Sequence, residues 1–144
     1  MNTVAHHVGR LIEIRVTTGF RTPAEVDQFF SAVYMEGCKA VPENEPIGVA
    51  RLVTVADWRR CPVLPGEVAD HVRARMAGNN RAVLRAAALV GVDSPSARMQ
   101  FSRVVRETGL ENRKVFHDPR ALLHWLAEVM APDETRRLEV FLTE

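Results

Sequence analysis

Apolar residues recur along this chain in two periods, one near two residues and one near three and a half, and the switches between them mark out its elements. From Val8 to Val16 the period is two. Ile12, Ile14 and Val16 fall on one side and Leu11, Glu13 and Arg15 on the other, which predicts a half-exposed strand at an edge or in antiparallel pairing, after a frayed start holding His6 and His7. Thr22-Pro23-Ala24-Glu25 supplies an N-cap, a first-turn proline and a glutamate three residues on, a capping box whose cap is worth about 1 kcal/mol. In the helix that follows, Val26, Phe29, Phe30, Val33 and Tyr34 form one apolar face toward a sheet, and Gly37 is expected to end it.

Between Val41 and Ile47 the run PENEP reads as an exposed loop. Ile47 to Ala56 is rich in β-branched residues and predicts a strand, closed by the polar loop Asp57-Trp58-Arg59-Arg60-Cys61-Pro62. A second helix opens at Pro65-Gly66-Glu67, carries Val68, Val72 and Met76 at four-residue intervals and closes at Gly78-Asn79-Asn80. Val83 to Val92 is then almost continuously apolar, as a strand covered on both faces must be. It hands over at Ser94-Pro95 to a helix with Ala97, Phe101, Val104 and Val105 on one face and Gly109 as its stop.

A short strand from Arg113 to His117 precedes the cap Asp118-Pro119 and a helix with Leu122, Leu123, Trp125, Leu126 and Val129. Trp125 is expected to anchor the core, in which case Trp125→Ala costs about 3–5 kcal/mol. Pro132 opens a terminal helix whose large apolar groups are Leu138, Phe141 and Leu142; it either packs on the domain or meets another chain. Strands separated by helices of this length need crossover connections. The pattern therefore predicts a single-domain α/β fold over residues 1–144, with a largely parallel sheet of four to five strands, helices packed on it, and 132–142 as a helical extension.

Composition narrows the functional classes. A net charge of +1 provides no field that argues for nucleic acid, although all the basic side chains but Lys39 and Lys114 are arginine. Cys38 and Cys61 stand too far apart for a CxxC site, so neither a disulfide scaffold nor a cysteine zinc site is expected, and a reducing cytoplasm is the natural home. The sequence shows neither a signal-peptide pattern nor a run of about eighteen apolar residues, so no integral membrane segment is expected.

Three segments together carry a resemblance. The early alternating strand with TPAEVDQFF, the strand ending at Asp57 with LPGEVADHV, and VFHDPRALLHWL resemble small STAS-like bacterial proteins. That α/β group includes anti-sigma-factor antagonists and overlaps in shape with CRAL-TRIO-like lipid-binding domains. The resemblance implies a STAS-like fold and a regulatory protein partner. In such antagonists a phosphorylatable Ser or Thr lies between an Asp after the strand and a Gly at the next helix. Asp57 and Gly66 match the outer positions, but Trp58 to Val68 holds no Ser or Thr, so no phosphorylation switch is expected there.

Candidate sites follow from residue type and place. Asp57, Trp58, Arg59, Arg60, Leu64 and Glu67 lie where open α/β sheets put ligands and partners, and they make the candidate protein-binding surface. The plain alternative is that Trp58 packs beneath the loop and the arginines are solvated. Ser94 and Ser96 begin a helix whose free N–H groups suit an anion, though this turn lacks the glycines and lysine of a phosphate loop. Phe29 and Phe30 are the candidate contacts for an apolar ligand. His71, His117 and His124 are scattered, and no metal spacing or nucleophile elbow accompanies them. An enzyme would need His117, Asp118 and Ser94 to meet in one pocket. Glu43 with Glu45, and Glu134 with Glu139, read as solvated charge. The expectation is a non-enzymatic interaction module of a bacterial signalling pathway, without metal or cofactor, that pairs with another protein or with a second copy through its last helix. The alternative is a small carrier of an apolar or lipid-like molecule.

Overall fold

A computed structural model describes residues 1–41 and 51–144. Local chemistry places the helix starts. Thr22 Oγ1 accepts from Glu25 N at 3.2 Å at the head of α1 (Pro23–Lys39), Ser94 Oγ accepts from Ala97 N at 3.3 Å at the head of α3 (Pro95–Glu107), and Asp118 Oδ1 accepts from Arg120 N at 3.0 Å at the head of α4 (Pro119–Ala127). In each the first helical residue is the proline the sequence places there. Among the described residues the other two α-helices are α2 (Gly66–Gly78) and α5 (Pro132–Thr143).

Among the described residues five strands lie in the order β1 (Thr3–His6), β2 (Leu11–Arg15), β3 (Leu52–Asp57), β4 (Val83–Leu89), β5 (Arg113–Phe116). β1 runs antiparallel to β2, and every later pair is parallel, as helical crossovers require. α1, α2 and α3 cover one face; α4 and α5 cover the other. β4 is extended and interior, with helices over both of its faces, so the central expectation for this segment holds. Its extended part ends at Leu89 rather than at Val92. There Val90 N donates to Phe116 O at 2.8 Å, and a Cβ on Gly91 would stand 2.7 Å from Arg59 O, so the chain passes too close to its neighbour for any side chain.

Several expectations need correcting. The strand expected from Val8 to Val16 begins only at Leu11, after a hairpin turn in which Gly9 has φ 56°, and the start is not frayed but forms the edge strand β1. Its termini are fastened: Asn2 Oδ1 accepts from Thr17 N at 3.0 Å, and His6 Nε2 lies 2.7 Å from Gly9 O. β2 is covered on both faces rather than half-exposed. Glu13 is buried with a bidentate hydrogen-bonded ion pair to Arg137 of α5 at 2.7 Å, a contact that alternation alone cannot reveal.

Gly37 does not end α1. It sits within the helix and lets it approach Leu52, 3.2 Å from where a Cβ would be. The part of the expected second strand from Ile47 to Ala50, and the PENEP loop with Glu43 and Glu45, fall outside the described residues. Trp125 does not anchor the core, because it is half-buried over the rim of the sheet. It stacks on Phe116 at 5.6 Å between the cations of Arg85 and Lys114, while the fully buried positions of α4 are Leu122 and Leu126.

The terminal helix α5 packs on its own domain through Leu138 and Phe141. Glu134 is buried rather than solvated. Its carboxylate accepts from Arg10 N at 2.6 Å and from Ala131 N at 2.7 Å, which ties the hairpin turn to the head of α5. Burial opposes ionisation of Glu134, but those N–H groups and the Arg10 guanidinium outweigh it and hold the carboxyl below the usual range.

Candidate functional site

The two faces of the sheet present side chains of different size. Toward α4 and α5, the middle strands turn Val53, Val55 and Leu89, which pack with Leu122, Leu126 and Leu138. Toward α1 and α2 they turn Thr54, Ala56, Ala86 and Ala88. A register shift near Leu52 and Val53 produces this division: Leu84 and Arg85 both fall on the α4 side, and Val83, Ala86 and Ala88 fall on the other.

Side chains this small do not fill the space beneath α1. A cavity of about 330 Å³ lies there, walled by Ile12 and Ile14 of β2, by Phe29, Phe30 and Val33 of α1, and by Trp58. Ile12, Val83 and Ala86 are buried and border this space.

The walls change character along the strands. Near the strands' carboxyl ends they are Ile14, Phe29, Ala56 and Trp58; where β3, β4 and β5 begin they include Arg51, Asn79 and Arg113, and among the described residues no Asp or Glu contributes. Arg113 is held in place by neutral acceptors: Nε donates to Asn80 Oδ1 at 3.0 Å and Nη2 to Met76 O at 3.0 Å, at the carboxyl end of α2. Burial lowers its pKa to about 10 with no neighbouring charge to offset the effect, and it stays cationic at neutral pH.

The loop after β3 is built differently from a free docking surface. Asp57 is buried and accepts from Arg59 N at 3.0 Å, Arg59 Nε at 3.0 Å and Arg59 Nη2 at 2.9 Å, with Arg15 Nη1 at 3.8 Å. Burial opposes its ionisation, but the hydrogen bonds and charges of Arg59, with Arg15, prevail and keep the carboxyl below its ordinary range. Trp58 and Leu64 point inward. Trp58 lies on Phe101 at 4.5 Å, and the backbone of Leu64 is clamped by Gln100, which accepts from Leu64 N at 2.8 Å and donates to Leu64 O at 2.7 Å. A partner would therefore meet Arg59, Arg60, Val63 and Glu67, which are exposed, and would not meet Asp57, Trp58 or Leu64.

Ser94 spends its hydroxyl on the cap of α3, and Ser96 is exposed within the first turn. Asp118 is likewise committed to a cap. Neither of these, nor His117 or Ser96, borders the cavity, so the pocket an enzyme reading requires is not formed by them. Phe29 and Phe30 do border it, and Phe29 also touches Phe20 at 5.3 Å. Sequence reasoning passed over Arg113, Asn79 and the small side chains. The signal available was the alternation in Val53-Thr54-Val55-Ala56, large on one face and small on the other, and the run Ala86-Ala87-Ala88, small on both.

Among the described residues no group of three or more His, Cys, Asp and Glu side chains is placed to hold a metal ion, and no helix is long and apolar enough to cross a membrane. A scan against models of protein families matches none, and a search of curated proteins finds no relative. Among solved structures, the chain is similar to an uncharacterized protein of the DUF3478 family with a SpoIIAA-like fold from Shewanella loihica, at 15% identity and a TM-score of 0.59, covering 88% of this chain and 92% of that one. Strand order, helix placement and that likeness together show that this chain has the SpoIIAA-like, STAS-like α/β fold.

Proposed function

We propose that this protein is a binding module rather than a catalyst, and that it holds an apolar, lipid-like molecule between α1 and the sheet. The observation that carries this reading is the cavity of about 330 Å³ itself, walled by Ile12, Ile14, Phe29, Phe30 and Trp58 beneath a helix toward which β3 and β4 turn the small side chains Thr54, Ala56, Ala86 and Ala88. Small-molecule sites run from roughly 300 to 1,000 Å³, are mostly apolar and carry a few polar groups at fixed places, and this cavity fits that description. Native mass spectrometry of the purified protein is expected to show a bound small molecule. Titration of the stripped protein with a neutral solvatochromic dye should show saturable binding at one site. A protein that carries nothing and binds no such dye would sink the reading.

A second reading, regulatory contact with another protein in bacterial signalling, draws on a different place. Val63 is 50% exposed on a loop that also exposes Arg59 and Arg60, and the fold is compatible with regulatory modules. A half-exposed apolar side chain on a loop with two guanidinium groups has the composition of an interface anchor. Once a partner is identified, the Val63→Asp, Arg60→Glu variant is expected to bind it at least about tenfold more weakly. Undiminished binding would remove this surface from consideration.

A further inference from the structure

We infer that the molecule taken into the cavity is an anionic amphiphile, an unbranched acyl chain ending in a carboxylate, with its head group bound at Arg113 and its chain directed toward Phe29 and Trp58. This rests on the cavity being a ligand site, and it adds which chemistry the site selects. Three features point the same way. Among the described residues the lining includes Arg113 at the end where β5 begins and no Asp or Glu, so a negative head at Arg113 would meet attraction. Arg113 is bonded only to the neutral Asn80 Oδ1 and Met76 O, through Nε and Nη2, which leaves its Nη1 outside both bonds. A half-buried guanidinium held by neutral acceptors alone is under-compensated, and a carboxylate would supply the missing charge with strong, charge-assisted hydrogen bonds. Finally, the opposite end is flanked by the rings of Phe29, Phe30 and Trp58, which suits hydrocarbon.

Arg113 also has a structural duty, since its bond to Met76 O fastens the carboxyl end of α2. The two roles separate by what each discriminates. A structural arginine affects all ligands alike; a head-group arginine distinguishes a carboxylate from an alcohol of the same chain.

The test compares decanoate with decan-1-ol on the stripped full chain, read by calorimetry and by the fluorescence of Trp58 in a Trp125→Phe background. Decanoate is expected to bind the unsubstituted protein about tenfold or more tightly than the alcohol, the margin of a charge-assisted bond. Arg113→Met should bring the two affinities together while leaving that of the alcohol near its original value. Equal affinities in the unsubstituted protein would overturn the anionic assignment and leave the cavity reading standing; binding of neither would overturn both. A preference that persists in a folded Arg113→Met protein would overturn the role of Arg113.

Discussion

Ala86→Leu is the substitution that most directly asks whether the space beneath α1 is real. Ala86 sits in β4 between Thr54 and Arg113, is buried, and faces the cavity rather than a packed neighbour. Leucine adds three carbons there. At about 0.8 kcal/mol per buried CH₂ the gain is at most about 2.4 kcal/mol. Fixing the new side chain costs about 0.5–1 kcal/mol, which leaves a net stabilisation of about 1–2 kcal/mol. For a chain of this size that is a rise in Tm of about 2–8 °C. Ala87→Leu is the control, because one residue on the side chain turns toward the packed cluster of Val53, Leu89 and Leu122. Overpacking of that face should cost about 1–3 kcal/mol. Urea and thermal unfolding followed by circular dichroism measure both, and dye binding measured alongside should be lost in Ala86→Leu and kept by any folded Ala87→Leu protein. If Ala86→Leu destabilises as much as Ala87→Leu, the α1 face is already filled and the carrier reading fails with it.

Other expectations follow from single contacts. Asp57 and Glu134 both have folded-state pKa values below their unfolded ones, so the stability they contribute is present above about pH 4 and is lost as pH falls below it. Acid unfolding should therefore steepen below about pH 4, and Asp57→Asn, weaker at neutral pH, should lose less on acidification; a wild-type stability that stays flat down to about pH 3 would contradict this. Cys38 is exposed while Cys61 is buried with its thiol pushed up to about 12, so a maleimide should modify Cys38 alone in the folded protein, with a second equivalent appearing only on denaturation. Leu126→Ala should cost about 2–5 kcal/mol and Trp125→Ala less, since only the leucine is fully enclosed; the reverse order of unfolding midpoints would restore Trp125 as a core anchor.

The order of elements was legible in the sequence because the interactions that set it are local. Thr22, Ser94 and Asp118, each followed by proline, cap helices whatever surrounds them, and the apolar run from Val83 onward could be buried on both faces only as an interior strand. The misread places depend on contacts distant in sequence. Gly9 looks like any glycine until its turn is seen packed on Glu134, and Glu13 looks solvated until Arg137, 124 residues later, pairs with it. Trp58 carries the same composition whether it faces a partner or Phe101.

The site follows the same division. Sequence marked Phe29 and Phe30 as one apolar face, since helical period alone puts them there. Only the tertiary structure decided that Thr54, Ala56, Ala86 and Ala88 would stand opposite that face, and that Arg113 would close one end of the resulting space. A cavity is the volume left when separate elements meet with side chains too small to fill it. That quantity belongs to pairings across the fold, here between α1 and strands that lie far from it in the chain, and no local stretch of sequence contains it.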